Sequence, residues 1–190
     1  MSILTEGLPD SLVISGQSCK IRTDMKTWLR FSELMAGSEE ENRKNLPKMF
    51  KLVFDELPSN LFAAAAEMIQ FYACGKIAGD KKGSGVPTKK AFDFEYDADL
   101  IYAAFLQQYN LDLVDSTLHW WKFRALLDSL SEETQFVKVV QYRSVNLSKI
   151  KDKEQRKFYR KMKELYRLPD NRSEAKKEED FNRSFAAAFI

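Results

Sequence analysis

The chain has 190 residues, 44% of them hydrophobic, 13% aromatic and 31% charged, with a formal net charge of +2. That is enough apolar material for one sizeable core or two small ones, and it excludes disordered and fibrous classes. No apolar run approaches the roughly 18 residues of a bilayer span, and the opening MSILTEGLPD lacks the basic and apolar regions of a signal peptide, so neither insertion nor export is expected.

Charge is unevenly distributed. Residues 93–130 hold 2 basic and 7 acidic side chains, whereas residues 131–167 hold 11 and 5. An acidic block followed by a basic one predicts helical layers that attract each other, or a repeating partner surface. Cys19 and Cys74 are the only cysteines and are not at metal-ligand spacing. They read as reduced thiols of a cytoplasmic chain.

In chain order, SLVISGQSCKIR (11–22) predicts a small β-hairpin turning at Ser15-Gly16-Gln17. Thr23 or Asp24 then caps a helix to Ala36, with Met25, Trp28, Leu29, Ser32 and Met35 on one stripe. Pro47 predicts a break, with a short turn over 39–45 and a fresh helix from Pro47 to Glu56. The alanine-rich run from Leu61 to Cys74 is apolar nearly all round and is expected to be the most buried helix of the first half. GKIAGDKKGSGVPTKK, with four glycines and five lysines, cannot bury enough apolar area to offset its ordering entropy. It divides the chain into an N-terminal subdomain (1–75), a flexible linker (76–91), a C-terminal helical subdomain (92–168) and a tail (169–190).

Beyond the linker, helices are expected over 97–109, 116–129, from a Ser131 cap onward, and over 152–166, where Pro169 stops the last. FNRSFAAAFI at the end could add a short one. The expected fold is mainly α, a bundle of about six to seven helices with a small N-terminal β-hairpin.

Little chemistry is expected of these residues. His119 is the only histidine and reads as a partly buried packing residue, which leaves general-base and zinc chemistry without their usual groups. GDKKGSG lacks the preceding strand and following helix of a phosphate loop. Asp93, Glu95, Asp97 and Asp99 alternate with Phe92, Phe94 and Tyr96, but the glycine and distant glutamate of a calcium loop are missing. The simpler reading is an extended arm, aromatics inward and acids outward. No catalytic residue, cofactor or metal is therefore expected.

Partner binding is the better expectation. Trp120 and Trp121 point about 100° apart on a helix, so both are buried only if neighbours lie on two sides. Core packing is one account; the other is that Trp120 and Phe123 form an exposed anchor, since Trp is enriched at interface hot spots. Lys149 to Arg167 contains nine Lys/Arg against three Asp/Glu. Its Lys157, Arg160 and Lys161 form a basic face suited to a protein partner, with nucleic acid phosphates as the weaker reading.

FDFEYDADLIYAAFLQQYNLDL (92–113), LHWWKFRALLDSLSEETQF (118–136), VVQYRSVNL (139–147) and the Lys/Arg-rich helix after them resemble the bacteriophage gene-product-fifteen family. That family is small, helical and encoded by phages of Gram-positive bacteria with long non-contractile tails. The resemblance covers about 92–168 and implies no catalytic residues. It implies a tail assembly chaperone that binds the tape-measure protein in the cytoplasm of the infected or lysogenic host, with a homo-oligomer as an open option. The alternatives are a structural virion component, such as a tail connector or completion subunit, and a DNA-associated accessory protein.

Overall fold

The computed structural model describes residues 4–76 and 91–169; the expected linker lies almost wholly outside them, as does the tail beyond Pro169. The fold is mainly α, with a two-stranded antiparallel sheet and seven α-helices among the described residues. Strand β1 (Ser11–Ile14) pairs with β2 (Gln17–Lys20) in the register Ser11 to Lys20 through Ile14 to Gln17. The intervening Ser15 and Gly16 both have positive φ, which a two-residue hairpin loop requires to match the strand twist.

Helix α1 (Met25–Leu34) starts where the Asp24 carboxylate accepts the Thr27 N–H, and it buries Met25, Trp28 and Phe31. Helix α2 (Glu39–Val53) is continuous through Pro47, contrary to the predicted break. Three local features outweigh the proline. Ser38 and Glu41 form a reciprocal capping box, Glu40 pairs with Lys44 at 2.7 Å, and Met49, Phe50 and Val53 bury the last two turns. Pro47 is solvent-exposed, as is Arg43, whose carbonyl loses its helical donor there.

Helix α3 (Leu61–Tyr72) is capped by Asn60. Helix α4 (Ala98–Tyr109) ends at Asn110 in the left-handed region. Helix α5 (Trp120–Asp128) begins later than the spacing predicted, because the His119 ring accepts the Trp121 N–H and fixes the start there. Helix α6 (Gln135–Ser144) starts after Thr134 rather than Ser131. The buried Thr134 hydroxyl accepts the Val137 N–H, so it is the capping oxygen.

Two compact units divide after Ser144. In the first, the segments expected as separate subdomains share one core. The Met25 N–H donates to the Leu118 carbonyl and the Trp120 N–H to the Thr23 carbonyl, both at 2.7 Å, so the starts of α1 and α5 lie side by side. Trp28, Phe71 and Tyr72 on one side of the 77–90 segment and Trp120, Phe123, Phe94 and Phe105 on the other form a continuous aromatic chain. Neither segment closes this core alone, because Trp120 and Trp121 of the second pack on Tyr72 and Phe71 of the first.

The second unit comprises a 3₁₀ turn (Leu147–Lys149) and helix α7 (Lys153–Leu165), capped by Asp152. Arg156 Nε and Nη2 donate to the Ile150 carbonyl at 2.8 and 2.6 Å, and Lys163 Nζ donates to the Val145 carbonyl at 2.8 Å. These bonds fold the connecting turn back onto the helix.

Candidate protein-binding surface

Trp120, Trp121 and Phe123 do not form an exposed anchor. Trp120 is fully buried, Phe123 nearly so, and Trp121 is 9% exposed. Each indole finds its partner at the end of α3: Trp120 Nε1–H donates to the Tyr72 carbonyl at 3.0 Å and Trp121 Nε1–H to the Phe71 carbonyl at 2.8 Å. The last carbonyls of a helix lack i+4 donors; the Trp120 indole supplies one to Tyr72, and the Trp121 indole joins the Cys74 N–H, at 2.9 Å, on the Phe71 carbonyl. Trp120 also stacks on Tyr72 and Phe123, at centroid distances of 5.2 and 5.7 Å. Gly75, at positive φ, ends this corner. A Cβ there would sit 3.3 Å from the Trp121 ring. Beside it, burial pushes the Cys74 thiol above its ordinary range.

His119 has backbone partners on both ring nitrogens. Nδ1 accepts the Trp121 N–H at 3.1 Å, which makes Nε2 the donor to the Pro9 carbonyl at 3.0 Å. The ring is thus a helix cap and a tie to the N-terminal segment.

The arm before α4 departs from the expected alternation. Phe92 and Phe94 do turn inward, against Phe136 and Trp120. Asp97 also turns inward, while Tyr96 is exposed. The cause is a turn over 94–97, in which the Asp93 carboxylate accepts the Glu95 and Tyr96 N–H groups, so the two-residue period is lost. Asp97, 1% exposed, receives both Arg143 Nη groups at 2.6 and 2.9 Å and the Asp93 N–H at 2.9 Å. This buried fork joins the acidic and basic sequence blocks through α4 and α6.

Lys157, Arg160 and Lys161 are exposed on α7, which buries none of its residues.

The surface that sequence reasoning missed lies on α3, which buries only Ala64, Met68 and Phe71. Phe62 is 91% exposed, Ile69 53% and Leu61 45%, and Ala66 is exposed between them. Positions 62, 66 and 69 share one helical face, so these side chains form a single apolar stripe. The stripe borders an apolar pocket of about 250 Å³ whose walls include Met35, Leu46, Met49, Ala65, Met68 and Ile69. Three hydrogen bonds fix its frame. Tyr72 Oη meets Ser32 Oγ at 2.9 Å, tying α3 to α1, and Asn45 Nδ2 donates to the Leu34 carbonyl at 3.2 Å, tying α2 to α1. At the head of α2, the Ser38 N–H donates to Glu41 Oε2 at 2.7 Å. That bond, with a second to the Ser38 hydroxyl, holds the Glu41 carboxyl below its ordinary range.

A signal for this surface was present. The run LFAAAAEMIQFY carries apolar residues on opposite faces, Phe62, Ala66 and Ile69 against Ala64, Met68 and Phe71, and one face can be covered while the other is not.

Fold and surface together define a small, mainly α protein with a buried aromatic core and an apolar face presented to solvent. No group of three or more His, Cys, Asp or Glu side chains placed to hold a metal occurs among the described residues. No helix among them is long and apolar enough to cross a membrane. The chain belongs to the Bacteriophage Gp15 protein family, whose model matches residues 4–168. Membership thus covers the hairpin and the exposed α3 helix as well as the residues that carried the resemblance. No curated protein and no solved structure matches the chain.

Proposed function

We propose that this phage protein is a tail assembly chaperone that holds amphipathic helices of the tape-measure protein on the α3 face, in the host cytoplasm before the tail tube forms. The observation that carries the reading is the exposed stripe of Phe62, Ala66 and Ile69 beside a methionine-walled pocket. An aromatic ring left almost wholly in water gains free energy when a partner covers it, and a surrounding apolar patch marks a partner site. Met35, Met49 and Met68 suit a client whose helices vary along their length, because unbranched thioethers repack around different shapes. The exposed cations Lys157, Arg160 and Lys161 offer a second contact, to acidic stretches of the client.

The test is co-expression with the tape-measure protein of the same phage. The chain should keep that protein soluble and co-purify with it, and Phe62→Asp with Ile69→Asp should abolish both effects while the chain stays folded. Unchanged client solubility in the double variant would remove the α3 face from the reading. Mass spectrometry of purified particles provides the other arm. A chaperone leaves the particle, so a stoichiometric amount of this chain in virions would establish a structural tail subunit instead.

A further inference from the structure

We propose that the C-terminal residues 170–190 fold back along α7 as an antiparallel helix and cover its apolar side. The contact is internal to the chain and does not depend on the chaperone reading. Phe158, Met162 and Leu165 are spaced by four and three residues, which puts them on one side of α7. Leu165 is 65% exposed and Phe158 49%, and Met162 is half-buried. Lys157 and Lys161 border this stripe, and residues 153–167 hold seven Lys/Arg against two Asp/Glu. Such a division into an apolar and a charged side is that of a helix covered by another element on one side. A helix as short as α7 is marginal in water without that cover.

The occupant follows from where the described chain ends. Pro169 lies just past α7, so residues 170–190 set out from beside Leu165. A connection over 166–173 has the ordinary length for neighbouring antiparallel helices. Position 178 then stands level with 161 and position 181 with 158, because both helices rise equally per residue. Glu178, Phe181, Phe185 and Ala188 recur at spacings of three and four, the spacing of one helical side. In this register Glu178 meets Lys161 and Phe181 meets Phe158. Charge supports the same pairing. Residues 170–180 hold five Asp/Glu against three Lys/Arg, the sign opposite to that of α7. Arg160 lies on the far side of α7 from Phe158, outside the contact.

Amide hydrogen exchange of the full chain tests this directly. In Phe181→Asp the amides of α7 should exchange about tenfold faster, while those of α3 and α5 keep their rates and show the rest of the chain folded. The register has its own readout. Lys161→Glu should also speed exchange in α7, and adding Glu178→Lys to it should restore protection by re-forming the pair with its charges swapped. Protection of α7 should be the same at every protein concentration, as a contact within one chain requires. Exchange in α7 that is indifferent to Phe181→Asp would overturn the proposal. So would a charge swap that restores nothing, or protection that rises with concentration and so comes from a second copy.

Discussion

Helices α3 and α5 are both rich in apolar residues, and the structure treats them in opposite ways. Helix α5 turns only Lys122, Ala125 and Asp128 to solvent and has neighbours around its large side chains: α1 at its start, the end of α3 along the indoles, and Phe94 and Phe105 against Phe123. Helix α3 has neighbours on one side only, where Ala64, Met68 and Phe71 face the core. Hydrophobicity of a segment therefore measures how much it can bury, while the number of surrounding elements decides how much it does. Four consecutive alanines make the contrast sharper, since they raise the apolar content of α3 without giving it bulk to pack. Large side chains that neighbours enclose build stability, and large side chains left over build a surface.

The comparison is tested most severely by truncating one aromatic in each helix. Trp120→Ala removes the largest fully enclosed ring of α5 and leaves the Tyr72 carbonyl without its indole donor. The expected loss is about 4 kcal/mol, read as a fall in the urea unfolding midpoint. A loss as small as that of an exposed residue would mean α5 is not enclosed as described. Next in size is Asp97→Asn, which removes the carboxylate charge facing the buried Arg143 guanidinium. The expected cost is about 3 kcal/mol, because the buried guanidinium keeps its desolvation penalty while the closest opposite charge is lost. Replacing both residues by leucine should cost less than the single change, and a double variant that is worse would show that the fork contributes net stability.

Legibility followed the range of the forces involved. The hairpin was readable because its turn needs positive φ at adjacent residues, and Ser15-Gly16 in its local setting provides it. The helix beginning at Asp24 was readable for the same reason, since its cap lies three residues from the N–H it accepts. Pro47 misled because a strong local rule was outweighed by a capping box six to nine residues away and by burial of the helix's far end. The direction of Asp97 was hidden, because its partner lies 46 residues further along the chain. The two tryptophans were visible as residues needing neighbours on two sides, but the sequence does not state which helices supply them. Assigning α3 to the interior failed on that same point.

Cys74 sits where the two helices meet and reports on the contact without disturbing it. Burial raises its thiol above the ordinary value, so less of it is thiolate at neutral pH than in a free cysteine. Alkylation in the folded chain should be several-fold slower near pH 8 than in urea, and its rate should level off at a higher pH. The linkage has a definite sign. An acid whose folded pKa is raised is neutral in the fold and ionises earlier when unfolded, so its contribution weakens stability as pH climbs past the unfolded thiol value of about 8.5. A folded rate equal to the unfolded one would mean the end of α3 is open rather than packed beneath α5.

The smallest expected change is the most informative half of the comparison. Phe62→Ser deletes an aromatic ring as Trp120→Ala does, yet the unfolding free energy should change by no more than about 0.5 kcal/mol. The ring is 91% exposed, so it leaves little cavity and few lost contacts. Replacing an exposed apolar ring by a hydroxyl should also raise solubility, measured as the concentration at which the chain begins to precipitate. A loss of 2 kcal/mol or more, the size expected for an enclosed aromatic, would show that Phe62 is covered within the single folded chain.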